Sequence, residues 1–179
     1  MTDTPVDERT LVLLRHAKAE QPTTDAADLE RPLAARGRAD AAAAGAWLAR
    51  HRLLPDVVLC STALRTRQTW HQVQTGMIGS PPEGGSAGSA PLVHYEPDAY
   101  EAHSEDLLTL VRRVTPTAMT VLLIAHNPGI SLLSELLDPP HAVPDGLRTS
   151  DLVVHRTSTP WAQLSGGTAG IGARHTARG

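Results

Sequence analysis

Three short aliphatic runs constrain the fold more than any other feature: Leu11–Leu14, Val57–Cys60 and Val121–Ala125. Each is short and uniformly apolar, and each passes directly into a polar cluster and then a helical pattern. Runs of this kind are strands covered on both faces. The expected class is therefore α/β, a three-layer sandwich with a mostly parallel central sheet and helices on both sides. In such sheets chemistry collects beyond the carboxyl ends of the strands. The first run ends in Arg15-His16, the second leads to Ser61 and Arg65, and the third to His126. Ser61 reads as a helix N-cap, and Asn127-Pro128 as an N-cap with proline at the first helical position.

An isolated Arg-His pair would be a solvated strand end. Three strands delivering Arg15, His16, Arg65 and His126 to one rim make something else. Two guanidiniums and two imidazoles beside helix N-termini suit a dianion, and a phosphoryl group fits best because arginine matches its oxygens bidentately. Arg65 in the first turn of its helix opposes the helix dipole, a conflict that a bound anion would resolve. Arg67, two positions on, faces elsewhere. A zinc site is disfavoured: no HxxxH or HExxH spacing occurs, and flanking arginines would repel a cation. No metal and no cofactor is expected.

Five motifs carry a wider resemblance: Leu14-Arg15-His16-Ala17-Lys18; Glu30-Arg31-Pro32-Leu33 with Gly37; Cys60-Ser61-Thr62-Ala63-Leu64-Arg65-Thr66-Arg67-Gln68-Thr69; Tyr100-Glu101-Ala102; and Ala125-His126-Asn127-Pro128-Gly129. In this order and spacing the chain resembles the histidine phosphatase superfamily, with its phosphoglycerate-mutase-like fold. Within it the chain is similar to the small SixA-like phosphohistidine phosphatases of bacteria. The resemblance implies a metal-independent phosphatase in which His16 becomes covalently phosphorylated and Arg15, Arg65 and His126 bind the phosphoryl oxygens. It makes Glu101 the candidate general acid, with Asp98 and Glu105 as rivals, and puts Arg31 near the phosphate rim, where pairing with Glu30 or Asp28 is the plainer role. Lys18 is a candidate substrate contact or a solvated rim residue. The substrate implied is protein phosphohistidine. A small-molecule phosphomonoesterase is the alternative on the same scaffold, and a non-catalytic phosphate-binding or interaction module the alternative of another class. A mutase fits less well, because no dedicated cap is present. The family usually has glycine where Ala17 stands, so this loop must adopt an ordinary backbone conformation.

With 179 residues the chain reads as a single domain, 1–179, able to bury about 70% of its unfolded surface. Residues 1–9 and about 175–179 are expected to fray, and 79–91, rich in Gly, Ser and Pro, to form a flexible loop. Lacking Phe, the core must be built from Leu, Val, Ala and Ile. A net charge of −3 argues against nucleic-acid or acidic-membrane partners. There is one cysteine, Cys60, and no apolar stretch long enough to span a bilayer, so a cytoplasmic protein is expected. No sequence feature specifies an oligomeric state. Helices are expected from Leu33 to His51, from Ala63 to about Val73, around Leu107–Val114, and after His126 with Ile130, Leu133 and Leu137 buried. Gly37 and Gly45 each cost a helix about 1 kcal/mol relative to alanine, which points to close backbone approach. Leu92–Tyr95 is a further strand, Leu152–Val154 an antiparallel edge strand, and Thr168–Arg174 the last.

Overall fold

A computed structural model describes residues 7–80 and 89–179. Its elements are β1 (Arg9–Arg15), α1 (Ala35–Arg50), β2 (Val57–Ser61), α2 (Leu64–Ile78), β3 (Leu92–Glu96), α3 (Ser104–Arg112), β4 (Thr120–Ala125), α4 (Gly129–Leu137), β5 (Asp151–Thr157) and β6 (Gly170–Thr176). The strands form one sheet in the order β3-β2-β4-β1-β5-β6. The first four in that order are parallel, and β5 and β6 are antiparallel additions.

The period-2 alternation of the central strands divides the core in two. Leu11, Leu13, Leu59, Val121 and Leu123 face α3 and α4, together with Trp161 and Leu164. Val12, Leu14, Val58, Cys60, Leu122 and Ile124 face α1 and α2. Each fully buried aliphatic side chain contributes about 1.5–3 kcal/mol, so every central strand is anchored from both sides. The α1 and α2 backbones pack closely because a Cβ at Gly45 would collide with the Val73 carbonyl, and one at Gly76 with that of Ala42. Gly37 likewise admits the carbonyl of Lys18. These contacts seat α1 against the loop that follows β1, and α2 against α1.

Several expectations are corrected. Ser61 is still in β2, and Ala63 occupies the N-cap position of α2. Asn127 does not cap α4, whose N-cap is Pro128; its amide instead donates to Leu147 O at 2.8 Å and accepts from Ser131 Oγ. The α2 helix continues to Ile78, five residues past Val73, because Met77 still finds the core. Strand β5 is antiparallel but interior, since β6 covers its outer side. The chain end is tied down. β6 runs to Thr176, Ala177 N–H donates to Ser150 O at 3.1 Å, and Gly179 N–H donates to the buried Asp40 carboxylate at 3.1 Å. At the other end Arg9 already belongs to β1. Most of the loop expected at 79–91 lies outside the described residues. No helix among the described residues is long and apolar enough to cross a membrane.

Candidate active site

The parallel strands β1, β2 and β4 end level with one another, with Arg15 opposite Ala125 and Cys60 opposite Ile124. The residues just beyond them therefore gather on one rim. The rings of His16 and His126 lie 5.2 Å apart, centroid to centroid. Arg65 and both histidines are buried, and Arg15 is half-buried. The charges of Arg15 and Arg65 act on both rings, so the four side chains lie on one rim.

His16 is held by its own loop. Its Nδ1 donates to the Ala17 carbonyl at 2.8 Å, which places the ring proton there and leaves Nε2 with a free lone pair. Ala17 N–H donates to Thr69 Oγ1 at 3.0 Å, and the Thr69 hydroxyl donates to Arg65 O at 2.7 Å. One buried threonine thus links the histidine loop to the first turn of α2. Ser150 N–H closes the loop from the other side by donating to the carbonyls of Arg15 and His16. Ala17 is fully buried and has no positive φ, as its side chain requires.

His126 is oriented by Ser61, whose Oγ lies 2.7 Å from its Nε2. With the Ser61 hydroxyl donating to Nε2, the imidazole proton sits on Nδ1. Arg15 extends one guanidinium nitrogen, Nη1, to Leu147 O at 2.9 Å, the same carbonyl that Asn127 engages. Ser131 completes this support by accepting from Leu147 N–H at 2.8 Å.

Buried polar atoms are normally satisfied. Among the described residues five buried side-chain nitrogens and oxygens have no partner, and three of them are Arg15 Nε, Arg65 Nε and His126 Nδ1. Two are guanidinium N–H donors, and His126 Nδ1 is a third with Ser61 donating to Nε2, so the cluster offers N–H groups to an acceptor.

The electrostatics favour neutral imidazoles. Burial, reinforced by the charges of Arg65, Arg15 and Arg31, lowers the His16 pKa from 6.5 to about 4, against the hydrogen bond to Ala17. Burial, then His16 and Arg65, takes His126 to about 3, with Asp28 opposing. His155, buried in the core between Ser134 and the Ala169 carbonyl, is also lowered, chiefly by burial. An unfolded chain binds protons on these rings below pH 6.5, whereas the folded chain resists doing so. Stability is therefore fully present above pH 6.5 and lost as pH falls toward 4. Urea denaturation at pH 7.5 and 4.5 should show a lower midpoint at 4.5, and His126→Asn should flatten that dependence; a pH-independent midpoint would contradict these shifts.

The remaining candidates separate. Arg31 pairs with Asp28 at 3.1 Å and donates to Glu20 O, the plainer of its two expected roles, though its charge still reaches His16. Lys18 is exposed, and its backbone carbonyl rather than its ammonium does the packing, by accepting from Ala34 N–H. Glu101 is exposed, has φ of 54°, and makes no side-chain hydrogen bond among the described residues. It borders a shallow cavity with Asp98, Tyr100 and Asp106. Asp106 instead caps α3 through His103 N–H, and Glu105 is exposed.

Asp28 is the acid that sequence reasoning undervalued. Its Oδ2 accepts from Arg65 Nη2 at 3.0 Å and from the Tyr100 hydroxyl at 2.8 Å. The Tyr100 ring stands edge-on to His126 at 5.7 Å, and Gly129 packs against Ala102 O so closely that a Cβ would collide. That contact seats the Tyr100 segment against the start of α4. The only sequence signal was the spacing of Asp28 to Arg31.

Known proteins resemble this chain in sequence and in fold. Residues 11–81 match the histidine phosphatase superfamily (branch 1). A solved structure from Nakamurella multipartitia, provisionally named a phosphohistidine phosphatase SixA, is 32% identical, with 95% of this chain and 96% of that chain covered and a TM-score of 0.75. The chain belongs to the histidine phosphatase superfamily. An Agrobacterium tumefaciens structure, also provisionally named SixA, is 28% identical with a TM-score of 0.76, covering 93% of this chain and 97% of its own. An uncharacterised protein of Mycobacterium tuberculosis is 32% identical over 173 residues, covering 92% of this chain and 100% of that protein. This superfamily member is a phosphatase with the phosphoglycerate-mutase-like fold of these SixA-like structures.

Proposed function

We propose that the protein hydrolyses protein phosphohistidine through a covalent phosphohistidine on His16. The three unpartnered buried donors, set around a histidine whose Nε2 carries a free lone pair, are the observation that supports this reading most. In the first step His16 Nε2 bonds to phosphorus as the bond from phosphorus to the substrate imidazole breaks, and that imidazole takes a proton from solvent. Water then bonds to phosphorus, the bond to Nε2 breaks, and phosphate and a proton leave. Arg15 Nε, Arg65 Nε and His126 Nδ1 donate to the phosphoryl oxygens and stabilise the charge that spreads over them in both transition states. Arg31 adds positive charge at the rim, and Lys18 stands in solvent where a substrate chain passes.

A nitrogen leaving group suits the acids of this site. Asp28 is engaged by Arg65, Arg31 and Tyr100, and Glu101 is exposed and unattached. An imidazole departs with far less need of a proton than an alkoxide. The names carried by the Nakamurella and Agrobacterium relatives support the same substrate. A cytoplasmic setting belongs to the same proposal.

Rates on a phosphohistidine peptide, compared with a panel of sugar and aryl phosphates in excess EDTA, test this directly. The peptide should be hydrolysed fastest, with Glu101→Gln changing its rate by no more than about threefold. Faster hydrolysis of alcohol esters, with a large loss on them in Glu101→Gln, would instead identify a phosphomonoesterase with Glu101 as its acid. No turnover of any substrate, with phosphate still bound, would indicate a binding module.

A further inference from the structure

We propose that Asp28 is a positioning residue that fixes the Arg65 guanidinium and, by sharing it, weakens the grip of the site on released phosphate. This rests on the phosphate-site reading above. Asp28 lies in a short helical turn, Asp28–Glu30, outside the sheet and its four helices. Arg65 reaches it twice, Nη1 to the backbone carbonyl at 2.8 Å and Nη2 to Oδ2 at 3.0 Å. Both outer nitrogens of the fork are thereby tied to one residue, which sets the plane of the guanidinium and leaves Nε as its unpartnered buried donor.

The carboxylate is saturated from three directions. Oδ2 also takes the Tyr100 hydroxyl, while Oδ1 takes Arg31 Nε at 3.2 Å and Nη2 at 3.1 Å. These bonds favour the ionised form, and the Asp28 pKa is lowered, chiefly by the Tyr100 hydroxyl. A full negative charge is thus fixed one guanidinium away from the place where a second anion would bind. Two anions sharing one arginine repel each other. The substrate phosphoryl group and the phosphate product both meet this repulsion, so Asp28 gives up some affinity in return for an oriented Arg65 and faster product release.

The test is calorimetric titration of inorganic phosphate into the wild-type protein, Asp28→Asn, Tyr100→Phe and Arg65→Ala. Asp28→Asn removes the charge but keeps an oxygen for Arg65, and should bind phosphate about five- to tenfold more tightly. Its phosphate inhibition constant should fall by the same factor while kcat falls. Tyr100→Phe breaks a hydrogen bond to the same carboxylate yet keeps the charge, and should not tighten binding. A merely structural role would make these two variants alike. Should Asp28→Asn melt early, Asp28→Ser makes the same charge change. Unchanged or weaker phosphate binding in the folded Asp28 variants, with wild-type binding lost in Arg65→Ala, overturns this inference alone. If the wild-type protein and Arg65→Ala both fail to bind phosphate, the phosphate-site reading falls and this inference with it.

Discussion

His16→Ala is expected to lower kcat/KM by roughly 10⁴-fold or more, because on the proposed route it removes the nucleophile that takes up the phosphoryl group. The fold should survive. His16 lies past the end of β1, and its loop is held by backbone bonds from Ala17 to Thr69 and from Ser150 to the carbonyls of residues 15 and 16, none of which needs the imidazole. Loss of the ring also relieves the cost of keeping it neutral in a site flanked by arginines, so the variant should be no less stable at pH 5 than the wild-type protein. Steady-state rates and a thermal melt of the same preparation check both statements. With the nucleophile present, the acid limb of kcat/KM should fall near pH 4 rather than 6.5, where His16 loses its lone pair to a proton.

Arg65→Ala should cost roughly 10²–10³-fold in kcat/KM, the usual scale for removing one donor aimed at developing negative charge. The effect is larger than that of losing an exposed cation, because Arg65 is only 5% exposed and its field is little screened. Arg65→Lys should recover only part of the activity, since a single ammonium nitrogen cannot stand at once where Nη1 and Nη2 meet Asp28 and where Nε faces an anion. Initial rates of the two variants against wild type check this; a lysine variant with full activity would show that charge alone is required.

The sheet and the rim were legible in sequence because their signals are local and repeated. Leu11–Leu14 and Val121–Ala125 could hardly be anything but central strands, and the residues just past such strands lie at their carboxyl ends. The cap positions are not legible, because Ser61 and Asn127 have the side chains of N-caps but use them elsewhere, on His126 and on Leu147 with Ser131. A capping residue competes for partners that only the tertiary fold reveals. Asp28 was hidden for the same reason. It is separated by 37 residues from Arg65 and by 72 from Tyr100, and no periodicity links the three. The tail was expected to fray on composition, yet the buried carboxylate of Asp40, inside α1, gives its backbone a partner.

The most direct test of the covalent route is a rapid alkaline quench of the protein during turnover of a radiolabelled phosphohistidine peptide, then proteolysis and mapping of the label. The label should lie on the peptide containing His16, survive base, be lost in acid, and be absent from His16→Ala. Steady turnover with no labelled protein at any time, or label on a residue other than His16, would contradict it.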